Sequence, residues 1–388
     1  MYVPGSTPSR SRRRLAIPPQ FSQSGSETPL LFRAFMTKTP AVELLVPIWQ
    51  RVLNRSAVNL EEDFFDVGGN PVLARELFTD ISRTCSQEIS PLMICQAPTI
   101  LALAALLEQP TPRQLSPLVL LKPGSEKPPV FMTHGIGGSM VDFFQLARKM
   151  ETPHPIYGLQ AKGLDGVGEA VRSVEEMAEF NLDAIRQVQT RGPYYFIGYS
   201  LGGLVMLEMA QRLLERGEQI GLLALLDSYP HARHLSRSER LRLVVRRARR
   251  RVSVMKQGTS GRGYRAVQLR LRTSPDPHQQ ERPGPSTGSS LAQAAERVRK
   301  KAELAHANYR PRFYDGEIKF VRAAVLSFLP DDPVAIWSRL AAAFETETAP
   351  GDHVGMVATH FESLALVISR YLSESFSQGL SAGPKGSK

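Results

Sequence analysis

Cysteine is almost absent from this chain: Cys85 and Cys95 are the only two among 388 residues. Nothing points to export, so both are read as reduced core residues. No uninterrupted apolar run approaches the roughly 20 residues a membrane helix needs. The first 35 residues carry Arg10, Arg12, Arg13 and Arg14 without the apolar core that follows such charges in a secretory signal. A cytoplasmic location with no membrane partner is the expectation. The formal charge of +11 suggests nucleic acid until it is localised. Residues 231–310 hold 20 Lys and Arg against 5 Asp and Glu, so the remainder of the chain is slightly acidic. That basic segment, with Arg246, Arg247, Arg249, Arg250 and Arg251, lacks the aromatic interleaving of a single-strand binder and any DNA-reading motif. It reads as a solvated face able to attract an acidic partner, with no nucleic-acid role.

What is present is a chain of ordinary globular composition, 42% hydrophobic and 22% charged, long enough for more than one domain. Residues 1–37, rich in Ser, Pro and Arg, are expected to be disordered, as is the tail from 376 to 388. From 38 to 108 the pattern is helical. Val42, Leu44, Leu45, Ile48, Trp49, Val52 and Leu53 recur at helical spacing. A second helix is predicted from Pro71 to about Ser82 and a last one from Leu101 to Leu107, each with a proline at its start. A proline-containing linker over 109–117 then leads to the second domain, 118–375.

That domain alternates strands and helices. Strands are expected at Leu118–Leu121, Pro129–Thr133, Tyr157–Leu159, Tyr194–Ile197, Ile220–Leu226 and Gly316–Ala323. Helices are expected from Ser173 to Val188, after Ser200, near Trp337 to Phe344, and from Val357 to Leu372. The alternation stops between 231 and 310, which reads as a helical lid inserted over the active end of a parallel sheet.

Gly198-Tyr199-Ser200-Leu201-Gly202 sits where a strand turns into a helix. Such a nucleophile elbow thrusts the serine hydroxyl out of the sheet. A serine needs a base within hydrogen-bond reach and an acid to fix the base's tautomer. Among eight histidines, His353 lies on a loop between the last strand and the last helix, the place for a base. His231, His234, His278 and His306 fall in the insertion, His154 in a Pro-flanked loop, and His360 on the buried side of the last helix. Asp227, at the carboxyl end of the strand that follows the elbow helix, is the favoured acid. Asp331 and Asp332, after the next strand, are the alternative. Ser200, Asp227 and His353 thus occur in the chain order of α/β-hydrolases. His134-Gly135-Ile136-Gly137-Gly138 ends an earlier strand, where a glycine turn can present backbone amides to an oxyanion. No metal site and no bound cofactor is read.

Two resemblances follow. Ile48 to Leu53, Asp63-Phe64-Phe65-Asp66-Val67-Gly68-Gly69 and Gln96-Ala97-Pro98-Thr99-Ile100 resemble the carrier (thiolation) domain of nonribosomal peptide and polyketide assembly lines. In that family the serine bearing the phosphopantetheine arm stands two residues after the double glycine; here that residue is Pro71. The expectation is a bundle that cannot be loaded and serves docking or spacing. Residues 118–375 resemble the type I thioesterase domain of the same synthetases, through His134 to Gly138, Gly198 to Gly203, Leu226 to Tyr229, Tyr314 to Gly316 and Gly351 to Met356. The resemblance implies Asp227 as the acid, the amides of Ile136 and Leu201 as the oxyanion hole, and release of an acyl or peptidyl chain from a pantetheine thioester by hydrolysis or cyclisation. The substrate would come on a carrier in trans. An esterase or acyltransferase on the same residues and a non-catalytic docking module are the alternatives.

Overall fold

The computed structural model describes residues 39–109, 115–245, 290–325, 330 and 332–381. The expectations for 1–37, most of the linker, Arg246 to Arg251, His278, Asp331 and the last seven residues fall outside that range.

Three helices build the first domain: α1 (Pro40–Val52), α2 (Pro71–Cys85) and α3 (Ile100–Leu107). Each starts on a capping side chain. Thr39 accepts from Val42 N, Asn70 from Val72 and Leu73 N, and Thr99 from Ala102 N, satisfying amide donors that the first helical turn leaves free. Pro71 takes the first position of α2, where its missing N–H is no loss. Pro98 lies one residue before the α3 cap rather than inside the helix. Leu45, Trp49, Phe64, Leu77 and Phe78 form the centre of the bundle, with Trp49 edge-on to Phe64 at 5.3 Å.

Helix α2 runs three residues past Ser82 and ends on the left-handed Ser86. This corrects the reading of both cysteines as core residues: Cys95 is buried, but Cys85 is the last residue of the helix and is exposed. Burial pushes the Cys95 thiol pKa up, which suppresses its reactive thiolate. Iodoacetamide on the native protein is therefore expected to modify Cys85 and spare Cys95, as read by peptide mass.

The second domain is a seven-stranded sheet: β1 (Leu118–Lys122), β2 (Val130–Thr133), β3 (Ile156–Leu159), β4 (Tyr194–Tyr199), β5 (Ile220–Leu226), β6 (Tyr314–Ala323) and β7 (Ala341–Ala349), in the order β1-β3-β2-β4-β5-β6-β7. Only β1 is antiparallel to its neighbour. Helices α4 (Phe144–Lys149), α5 (Val174–Ile185) and α6 (Leu201–Leu214) follow β2, β3 and β4. Strand β2 lies beside β4, and the connections that leave these two neighbours, β2 to β3 and β4 to β5, run in opposite directions. The crevice outside the carboxyl ends of such a switch point is where open parallel sheets bind ligands. Thr133 of β2 pairs with Gly198 of β4, which brings the glycine turn and the elbow side by side.

The inserted region contains helical residues 237–245 and α7 (Ser290–Asn308). Beyond it, two expectations are corrected. Trp337 to Phe344 is not one helix: α8 (Pro333–Trp337) stops early and β7 begins at Ala341. The alanines suggest helix, yet pairing with β6 from Ala341 to Ala349 overrides that weak preference. Glu345 and Glu347 on this edge strand pair with Lys319 and Arg370, charges that discourage further strand addition. After α9 (Gly355–Ala358), α10 (Phe361–Ser381) continues well past Leu372 and through the start of the expected disordered tail. Phe376 explains the extension, since its ring stacks at 3.6 Å on His154 and packs at 4.1 Å on Tyr195.

Candidate active site

Ser200 has φ 55° and ψ −122°, a left-handed backbone that side-chain-bearing residues rarely adopt. Its neighbours show why the chain accepts it. A Cβ added at Gly198 would lie 2.4 Å from Gly203 Cα, at Gly202 2.2 Å from the His134 carbonyl, and at Gly203 2.0 Å from Ser228 Oγ. The glycines let α6 press onto the ends of its strands, and the tight turn pushes the Ser200 hydroxyl outward. Although Ser200 occupies the cap position of α6, its side chain makes no capping bond. Its Oγ lies 3.1 Å from His353 Nε2 instead.

Asp227 continues directly from β5, also at positive φ (47°). Its carboxylate is 6% exposed; Oδ2 is 2.7 Å from His353 Nδ1 and Oδ1 accepts from Ala323 N at 3.3 Å. An imidazole held by a carboxylate at Nδ1 keeps its basic nitrogen, Nε2, turned to the serine. Of the two alternative acids, the described one is placed elsewhere. Asp332 caps α8 through Ala335 N and pairs with Arg242, while Asp331 lies outside the described residues.

His154, His234 and His306 are engaged elsewhere. His154 Nδ1 meets the Pro128 carbonyl, His234 that of Ala307 and His306 that of Tyr229. His360 is exposed and precedes α10, correcting its expected place on a buried helical face. His134 sits at the end of β2 with Nδ1 2.6 Å from the Gly135 carbonyl. Burial lowers its pKa to about 4, partly opposed by that bond. An unfolded histidine titrates near 6.5, so between those values the unfolded chain binds more protons and stability falls as pH drops. The variant His134→Asn is expected to flatten that acid-side loss between pH 6.5 and 4, as read from thermal melts.

Two supporting residues carry no sequence signal of their own. Tyr199, the variable position of the elbow string, stacks on the His353 ring at 4.8 Å and donates its hydroxyl to the His353 carbonyl at 2.7 Å. Ser228 donates to the Ser200 carbonyl at 2.6 Å. Each bond ties together segments 28 or more residues apart, which no local pattern encodes.

Leu201 opens α6, so its amide has no intrahelical acceptor. Ile136 lies in the turn after β2, and a Cβ on neighbouring Gly135 would approach Ser200 Cβ to 3.3 Å. The glycine turn therefore overhangs the serine. From Ile136 a narrow, mainly apolar cavity of about 20 Å³ lies along Met177, Phe180 and Val205 to Val298 and Ala302 of α7. Among the described residues no cluster of three His, Cys, Asp or Glu is placed to hold a metal ion, and no helix is long and apolar enough to cross a membrane.

A largely parallel sheet with an elbow serine facing a histidine and an aspartate at its carboxyl edge defines an α/β-hydrolase. The chain belongs to the thioesterase domain family, whose model matches residues 128–372. A second model, the phosphopantetheine attachment site, matches residues 43–107. The chain is 37% identical over 195 residues to a dimodular nonribosomal peptide synthase of Bacillus subtilis, covering 50% of this chain and 8% of the relative. With enterobactin synthase component F of Escherichia coli the identity is 28% over 222 residues, covering 56% and 17%. The chain thus spans less than a fifth of either relative. A solved four-domain nonribosomal peptide synthetase bound to AMP and glycine superposes with a TM-score of 0.53 at 20% identity, over 92% of this chain and 27% of that one. That likeness bears on the fold, and it extends through both domains.

Proposed function

We propose that this protein is a serine thioesterase that releases an acyl or peptidyl chain from a pantetheine thioester in nonribosomal peptide or polyketide synthesis. The observation that carries the reading is His353 bridging Ser200 Oγ at 3.1 Å and Asp227 Oδ2 at 2.7 Å. His353 Nε2 takes the hydroxyl proton as Ser200 Oγ attacks the thioester carbonyl. The amides of Leu201 and Ile136 receive the developing oxyanion. Collapse of the tetrahedral intermediate expels the pantetheine thiolate, which takes the imidazolium proton and leaves an acyl-serine. Water, or a nucleophile within the acyl chain, then attacks that ester with His353 again as base. The apolar lining that begins at Ile136 favours an acyl chain over a charged group beside the reacting carbonyl.

The donor arrives on a separate carrier. Pro71, at the place where the resembling carriers have their arm-bearing serine, opens α2 without a hydroxyl, and Val72, Leu73 and Ala74 follow. Incubation with coenzyme A and a broad-specificity phosphopantetheinyl transferase is expected to add no mass to the wild type, while Pro71→Ser gains one arm. A mass gain on the wild type sinks this part of the reading. Turnover of acyl-pantetheine thioesters tests the rest. Faster cleavage of the matching simple oxygen esters would move the assignment to an esterase.

A further inference from the structure

We infer that the carrier-like bundle is a fixed clamp on the hydrolase, fastening α7 over the pocket instead of moving as an arm-bearing shuttle. The turn between α1 and α2 is tied down by side chains. Arg148 of α4 gives one guanidinium nitrogen to Asp63 at 2.7 Å, another to Asp66, and its Nε to the Leu121 carbonyl at 2.7 Å. All three edges of the guanidinium are used, and a fork engaged this way loses its rotamer freedom once for three bonds. Beside it, Phe65 stacks on buried Phe144 at 4.0 Å with the rings 10° from parallel. Phe65 also meets Phe64, which meets Trp49, so one aromatic chain joins the bundle's core to the sheet's helical layer. Gln96 adds a bond to the Ser116 carbonyl.

A second contact reaches the insertion. The Glu88 carboxylate accepts from Ser290 Oγ at 2.9 Å and Leu291 N at 3.3 Å, at the first turn of α7. A carboxylate there takes up a free first-turn amide and is favoured by the positive end of the helix dipole. Helix α7 is the element whose Val298 and Ala302 wall the pocket. The bundle thereby grips both the sheet, through Arg148 and Phe144, and the pocket's cover, through Glu88. A domain that must travel with a loaded arm has to release such contacts at every cycle; one without an attachment hydroxyl has no such requirement. This role does not depend on the chemistry assigned to Ser200.

Hydrogen exchange of the full chain, read by peptide mass, tests the clamp. In the wild type, residues 40–107 are expected to be protected as strongly as β1 and β2. Glu88→Ala, at an exposed position, should raise exchange over 290–296 about tenfold while leaving β4 and β5 unchanged. Asp66→Lys, which sets a like charge against Arg148, should raise exchange over 40–107 and 290–296 together. The inference is overturned if the wild-type bundle exchanges as a separate, weakly protected unit, or if Glu88→Ala leaves 290–296 at the wild-type rate. Fluorophosphonate labelling of Ser200 on the same samples reports the catalytic reading independently.

Discussion

Replacing Ser200 by alanine is expected to abolish covalent labelling by a fluorophosphonate and to lower acyl-pantetheine turnover by about 10⁵-fold or more, the scale on which removal of a triad nucleophile acts. On the proposed mechanism, residual rate above that in water reflects substrate binding and the amides assigned to the oxyanion. The fold should survive, because alanine keeps the Cβ and hence the same left-handed strain at φ 55°. What is lost is a partly buried bond to His353 Nε2 at 3.1 Å, worth about 1 kcal/mol. A melt near that of the wild type therefore separates lost chemistry from lost structure. Labelling that persists in the variant would place the nucleophile elsewhere and remove the central claim.

How much of this was legible in the sequence depended on how local the cause was. The elbow was readable because three glycines and a serine are jointly required by one tight turn. The strand Ile220–Leu226 was readable because a strand buried on both faces is an unbroken apolar run. The places of His353 and Asp227 at element ends were readable, but not their contact, which requires β5, β6 and β7 to lie side by side. Strand β7 was misread because alanine propensity is a local property, whereas its pairing partner is fixed by the fold. The same limit hid Tyr199, whose position the elbow motif leaves unspecified and whose bond is to a carbonyl 154 positions away.

The joint between the domains was the least visible feature. Asp63, Phe65 and Asp66 lie within the carrier-like string Asp63 to Gly69, where they read as family signature. Their partners Arg148 and Phe144 are some 80 residues on. An arginine and a phenylalanine on a short helix carry no sign of what they face. The pairing emerges only when α4 is seen against the α1–α2 turn.

Asp227→Asn supplies the second large effect, a fall in kcat of about 10³ to 10⁴-fold with KM little changed, read on an acyl-pantetheine substrate. On the proposed mechanism the carboxylate, 2.7 Å away, accepts the Nδ1 proton of His353, and that bond fixes which nitrogen remains basic. An amide at the same place can turn its NH₂ toward Nδ1, which then acts as acceptor and leaves the proton on Nε2, facing Ser200. The base is then in the wrong tautomer although every atom is near its original place. Loss of the negative charge also removes the group that stabilises the imidazolium during attack. Stability should change little, since asparagine tolerates φ 47° and its carbonyl can still receive Ala323 N, the second bond of Asp227. Asp227→Ala, by contrast, strands that buried amide and is expected to cost about 1–3 kcal/mol in addition to activity. The pair of variants thus separates orientation of the base from support of the sheet edge. Full activity in Asp227→Asn, with the protein folded, would mean that the His353 tautomer is set by something other than this carboxylate.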